Sequence, residues 1–235
     1  MPHAVARLRQ ERLERSSKPF IARGSKIPRC PRCRIPLSHC LCHLQPETRS
    51  RSGFCLLMHD IEPLKPSNTG WLIADLIADT WAFGWSRTRT DPALVPLLQS
   101  PDWQPVLVFP GEYAAPQRVV EQLPACGPPP LFVLLDATWP EARKMFRKTP
   151  CLDALPVLSL QPATLSRYQL RRSTRGEHLC TAEVAALCLE LAGDIQASRQ
   201  LDAWLDTFTA HYQAARHQHA PRLPEETLRG LQPCS

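Results

Sequence analysis

The chain has 235 residues, 43% of them hydrophobic, with 25 prolines, 9 glycines and 10 cysteines, which suits one large domain or a domain with a small module, built from short elements between proline turns. No apolar run reaches the ~20 residues of a membrane span. The first residues carry Arg and Glu where a secretory signal needs an apolar core, so a reducing cytoplasm is expected rather than a disulfide-stapled secreted fold. The net charge of +6 is uneven: residues 1–52 hold 12 Lys/Arg against 3 Glu, and the remainder 16 Lys/Arg against 19 Asp/Glu. A basic arm on a near-neutral body points to a polyanionic partner.

The first expected element is a basic helix over about 4–16, with Val5, Leu8 and Leu13 apolar among Arg7, Arg9, Arg12 and Arg15, ordered on a partner. Cys30, Cys33, Cys40 and Cys42 follow in C-x2-C-x6-C-x-C spacing, four thiolates close enough for a tetrahedral Zn2+. His39 and His43 are the runner-up ligands, and Arg29, Arg32 and Arg34 sit on the same knuckle as phosphate contacts. The other cysteines lack ligand spacing and read as reduced.

Residues 53–58 read as the first buried strand. His59, Glu62 and Lys65 come after it, then Ser67, Asn68, Thr69 and Gly70 opening a helix over about 69–81. Such a helix start is either a plain cap or an anion site. A short helix over 91–98 leads to a second strand over 104–109, closed by Pro110, Gly111 and Glu112. A helix over about 116–123 is expected next.

The stretch from Leu131 to Met145 is the most informative. Five apolar residues, Leu131 to Leu135, read as a strand buried on both faces, and the run stops at Asp136. Thr138 and Glu141 then stand in capping-box spacing, with Pro140 in the first helical turn. Asp136, Thr138 and Trp139 would therefore lie at the carboxyl end of a core strand, where open α/β sheets bind ligands. The competing reading is a structural helix cap. The helix bears Arg143, Lys144, Arg147 and Lys148, and a strand over 155–160 ends at Gln161 and Pro162. A polar segment around Tyr168, Leu170 and Arg171 precedes an apolar helix over 179–192, and a last helix spans about 200–218 with a loose tail from 221. Strands alternating with helices argue an α/β fold with a mainly parallel sheet and helices on both faces.

Asp136-x-Thr138-Trp139 with Ala142, Lys144 and Met145 resembles the signature of the DTW-domain family. So do, in the same order, the cysteine knuckle, His59-x-x-Glu62 leading to Asn68-Thr69-Gly70, Phe109-Pro110-Gly111, Tyr168-x-Leu170-Arg171 and Thr181-x-Glu183. Cys180 stands where the family usually has serine or another small residue. The resemblance covers about Cys30 to Glu183.

It implies a SPOUT-like domain over 53–220 with a C-terminal trefoil knot, preceded by a basic arm over 1–28 and a zinc knuckle over 29–52, with a loose tail over 221–235. It further implies transfer of the 3-amino-3-carboxypropyl group of S-adenosylmethionine to N3 of a tRNA uridine. The cofactor would sit among Phe109, Pro110, Gly111, Leu135, Asp136, Leu160, Gln161, Pro162, Leu170, Arg171, Cys180 and Thr181. The uridine side would draw on His59, Glu62, Lys65, Asn68, Thr69, Gly70, Lys144, Tyr168 and Arg171.

The chemistry agrees with the residues. N3 of uracil is a weak nucleophile while protonated, and a carboxylate at the cleft, Asp136, can accept that proton. Arg171 or the Asn68–Thr69 amides are candidate donors to the cofactor carboxylate. The partners are then tRNA and S-adenosylmethionine, with neither DNA nor a membrane; monomer and homodimer stay open. Two other readings stand beside this one: an RNA methyltransferase on the same fold, and a non-catalytic zinc-knuckle RNA-binding protein.

Overall fold

The computed structural model describes residues 1–17, 27–124, 126–160 and 179–232. Six parallel strands form one sheet: β1 (Gly53–Met58), β2 (Thr80–Gly84), β3 (Gln104–Val108), β4 (Val119–Val120), β5 (Pro130–Asp136) and β6 (Val157–Leu158), in the order β2-β1-β5-β3-β6-β4. β5 lies between β1 and β3, although both precede β4 in the chain, and β6 lies between β3 and β4. The register of β1 on β5 runs from Gly53 opposite Leu131 to Met58 opposite Asp136. The expected α/β architecture with a parallel sheet is therefore present. Its all-apolar strands follow from burial on both faces: every residue of β1 is buried.

Alternate strand residues feed two cores. Phe54, Leu56, Met58, Phe132 and Leu134 face α1 (Ala4–Glu14), α2 (Gly70–Leu76), α5 (Thr181–Leu191) and α6 (Ile195–His217). Cys55, Leu57, Leu131 and Val133 face α3 (Leu94–Leu98) and α4 (Trp139–Arg147). The first core also takes in Cys30, Cys33, Ile35 and Leu41 of the knuckle and Val5 and Leu8 of α1. The N-terminal helix is thus packed on the body. Among the described residues no helix is long and apolar enough to cross a membrane.

Four local expectations need correction. The helix read over 69–81 ends at Leu76, where Ile77 turns extended, and Thr80-Trp81-Ala82-Phe83-Gly84 is strand β2. No glycine or proline marks the break at Ala78-Asp79 between the two apolar runs; the threonine and aromatics of the second were the better guide. The helix read over 116–123 is a 3-10 turn, Pro116–Arg118, followed by β4, because Val119 and Val120 pair with β6. The strand read over 155–160 shrinks to Val157–Leu158. In the tail, α7 (Glu225–Gly230) packs on α6: a Cβ on Gly230 would come within 2.8 Å of the Ala203 side chain. The knot, together with Gln161, Pro162, Tyr168, Leu170 and Arg171, lies outside the described residues.

Candidate active site and metal centre

Asp136 ends β5, opposite Met58 at the carboxyl end of β1. This carboxylate has no exposed surface. Its Oδ2 accepts from Asn68 Nδ2 at 2.7 Å and its Oδ1 from the Thr181 hydroxyl at 2.7 Å. The cap of α4 is Thr138, not Asp136, and it makes the expected box: the Thr138 amide donates to Glu141 Oε2 at 3.0 Å. The helix cap therefore does not use Asp136. Thr138 starts the helix, while Asp136 ties three distant segments together.

The loop after β1 supplies the other half of the cluster. Glu62 is fully buried, accepts from Lys65 Nζ at 2.6 Å and lies 3.4 Å from Asn68 Nδ2. Asn68 Oδ1 takes the Trp71 amide at 3.0 Å, which leaves its amide nitrogen aimed at the two carboxylates. Thr69 is buried in the same loop. Gly70 is needed for closeness rather than for backbone freedom, since a Cβ there would stand 2.6 Å from Asp136 Oδ2. Cys180 caps α5, its amide donating to Glu183 Oε2 at 2.8 Å, so the thiol fills the cap position that serine usually takes. Burial pushes the Cys180 thiol well up. It is held as a thiol, not a reactive thiolate.

Trp139 carries the turn onto the neighbouring loop. Its ring stacks on Phe109 at 5.4 Å between centroids, and Phe109 stacks in turn on Phe146 at 4.6 Å. The Gly111 amide donates to the Ser159 hydroxyl at 3.0 Å, joining the ends of β3 and β6. Phe109, Pro110, Gly111, Leu135 and Asp136 are thereby brought to one edge of the sheet, while Leu160, half-buried, packs with the opposite core. His59 and Lys144 meet at a residue that sequence reasoning passed over. His59 stacks on Trp85 at 5.8 Å, Lys144 Nζ lies 6.0 Å from the same ring, and His59 Nδ1 is 3.3 Å from Glu141. Trp85 was legible only after β2 had been recognised, as the aromatic just past a strand end.

The knuckle fits the metal expected of it. The four thiol sulfurs lie within 4.8 Å of one another, with Cys30 and Cys42 at 3.6 Å and Cys33 and Cys40 at 3.8 Å. Tetrahedral Zn–S bonds of about 2.3 Å require sulfur separations of about 3.8 Å. For Cys30, burial raises the thiol pKa, but donation from the Cys33 and Arg32 amides and from the Cys42 and Cys40 thiols outweighs it and brings the value to about 7. Cys33, more deeply buried, is pushed up to about 11. His39 instead turns its Nε2 to the His219 carbonyl, 2.9 Å away. Among the described residues these four cysteines are the one group of three or more such side chains close enough to hold a metal.

Two of the arginines expected on phosphates are engaged elsewhere. Arg34 is 5% exposed, with its guanidinium turned into the protein, and Arg12 forms a bidentate pair with Asp60 at 2.6 and 2.8 Å.

The fold and site thus define a parallel α/β domain with a buried polar cluster at its strand ends and a four-cysteine knuckle, packed against one face, that could hold a metal ion. The model of the DTW domain matches residues 27–213, and the chain belongs to that family. A curated relative, tRNA-uridine aminocarboxypropyltransferase 2 of Drosophila melanogaster, is 28% identical over 170 residues, covering 68% of this chain and 65% of that protein. The alignment thus spans a little under two thirds of the relative's length. No solved structure matches the chain.

Proposed function

We propose that this protein is a tRNA-uridine aminocarboxypropyltransferase. It moves the 3-amino-3-carboxypropyl group of S-adenosylmethionine to N3 of a tRNA uridine and releases 5′-methylthioadenosine. The observation that carries the reading is the buried Asp136 at the end of a central strand, gripped by Asn68 and Thr181, in a member of this family. The name of the fly relative supports the substrate and the group transferred.

S-adenosylmethionine supplies an activated carbon on a sulfonium leaving group. The rest falls to the protein. As the bond from N3 to the γ-carbon forms and the carbon–sulfur bond breaks, the N3 proton must leave. Asp136 takes it, and the half-buried Thr181 hydroxyl, bonded to Oδ1, is the relay between the enclosed carboxylate and the outside. Asn68 orients the second oxygen. Trp139 and Phe109 wall the cofactor side, and His59, Trp85 and Lys144 form the rim that receives the flipped uridine. The knuckle cysteines hold a structural Zn2+, and the exposed Arg32 of the knuckle and Arg143, Lys144 and Arg147 of α4 contact tRNA phosphates.

The test is to incubate the protein with S-adenosylmethionine and bulk tRNA and identify the small-molecule product by mass. 5′-Methylthioadenosine is expected. S-adenosylhomocysteine would place the protein among methyltransferases, and neither product would leave an RNA-binding protein; both outcomes overturn the proposal.

A further inference from the structure

Arg34 stands between the second and third cysteines of the knuckle and looks, in sequence, like a surface phosphate contact. It is instead buried, at φ 64, a left-handed conformation that a non-glycine residue adopts at a cost. Two backbone bonds hold that turn: the Arg34 amide donates to the Cys30 carbonyl and the Cys30 amide to the Ile35 carbonyl, each at 2.9 Å. Cys30 and Cys33, on either side of the turn, are the residues a metal would pin. The side chain leaves the knuckle entirely. Nη1 donates to the Lys65 carbonyl at 3.1 Å and Nη2 to the Asn68 carbonyl at 3.0 Å. The guanidinium lies 4.3 Å over the Trp71 ring, with Phe208 of α6 at 5.6 Å. Asn68 is the residue whose side chain grips Asp136 Oδ2 at 2.7 Å.

We infer that the metal knuckle is an orienting device for the Asp136 cluster, with Arg34 as the positioning residue that carries its geometry to the 62–69 loop. The arrangement supplies each link. The metal fixes the Cys30–Cys33 turn, and the turn fixes a strained backbone whose one rigid fork holds two consecutive parts of the loop. The fork suits this task because a planar guanidinium satisfies two carbonyls at once, as a lysine cannot. The loop then sets Asn68. Loss of metal or loss of the fork should therefore have the same consequence at the same place, and the second loss should add nothing to the first. The activity arm of the test rests on the function proposed above; the structural arm does not.

The test follows backbone hydrogen exchange of the full-length protein at the Lys65 and Asn68 amides, both hydrogen-bonded within this loop. Four samples are compared: metal-loaded, chelator-stripped, Arg34→Met loaded, and Arg34→Met stripped. Arg34→Met keeps the stem and removes the donors. Each single perturbation should speed exchange at those amides by about tenfold or more, as expected when charge-assisted hydrogen bonds are lost. The combination should not exceed the larger single effect, and loaded Arg34→Met should keep its full metal content. Arg34→Lys should recover part of the protection, and it serves as the decisive variant if Arg34→Met does not fold. In turnover, Arg34→Lys should lower kcat with KM for tRNA and S-adenosylmethionine within a few-fold. Additive effects, unchanged loop exchange on stripping, or a rise spread evenly over the sheet would overturn the inference. A wild-type protein that yields no methylthioadenosine while the exchange pattern holds would instead overturn only the proposed activity.

Discussion

Gly70→Ala is the sharpest test of how the site is built, because it adds one methyl group and no chemistry. A Cβ at this position meets Asp136 Oδ2 at 2.6 Å, Asp136 Cγ at 3.3 Å and Asn68 Oδ1 at 3.3 Å, where ordinary contact begins at 3.4 Å. The shortfall at Oδ2 is about 0.8 Å, and the group that must yield is a fully buried carboxylate held on both oxygens. Alanine gains up to about 1 kcal/mol in a helix over glycine, but overpacking a closed site costs about 1–3 kcal/mol. A net loss of about 1–2 kcal/mol lowers Tm by roughly 2–8 °C in a chain of this size. Misplacing a reacting group by about 1 Å costs on the order of a hundredfold, so kcat for methylthioadenosine release should fall about 10- to 100-fold. Gly84→Ala is the control, since its Cβ would find only Leu8 Cδ1 at 3.6 Å. The assay pairs thermal melting with product release for both variants. Wild-type Tm and turnover in Gly70→Ala would refute the geometry, since a carboxylate packed against this glycine has nowhere to go.

Asp136→Asn should lower kcat by about 10²–10⁴ with the fold retained, because the new amide can accept from Asn68 and donate to a rotated Thr181 hydroxyl. Thr181→Val should approach the same loss, Thr181→Ser should stay near wild type, and the double variant should be no worse than Asp136→Asn alone; near-normal turnover in Asp136→Asn would falsify the base assignment. Elemental analysis of the purified protein should give about one zinc per chain, and Cys40→Ser should lose most of it and melt earlier, since Cys33, its 3.8 Å neighbour, lies in the main core. Asp194 is partly desolvated, which raises its pKa, but hydroxyls of Ser52 and Ser50 and amides of Ser52 and Arg51 more than offset this and hold it below its ordinary 3.8. A depressed carboxylate contributes stability above the unfolded pKa and loses it as pH falls through the folded value. Asp194→Asn should therefore melt below wild type at neutral pH, with the gap closing in acid.

Much of the fold could be read from short apolar runs ended by polar residues. β1, β3 and β5 all announced themselves that way, and the capping box at Thr138 marked the start of α4; the box at Cys180, with a thiol in the cap position, shows only in the fold. What misled was a missing turn signal: the exposed Ala78-Asp79 pair carries the break between α2 and β2 with no glycine or proline to mark it, so β2 was read as helix. Two-residue parallel strands fail differently: Val119–Val120, at the edge, is a strand only because it pairs with Val157–Leu158, and Val157–Leu158 because it also pairs with β3, a fact no local window contains.

The site was legible in parts and illegible as a whole, and the reason is the strand order. Glu62, Asn68 and Gly70 follow β1, Asp136 ends β5, and Thr181 opens α5; each stood out locally as a polar or small residue beside a core element. Their convergence depends on β5, fifth in the chain, lying in the sheet between β1 and β3, and chain order gives no sign of that. Arg34 is the extreme case. An arginine between zinc-spaced cysteines has every local reason to face solvent and a phosphate. It turns inward because Trp71 and Phe208, from helices far apart in the chain, make a slot for the guanidinium, and because two loop carbonyls need its donors. Its charge was visible from composition, but its direction was set by residues 31 and 34 positions away at Lys65 and Asn68. Read only in sequence, the knuckle is an RNA-binding appendage; in the fold it is joined to the cluster around Asp136 by one side chain.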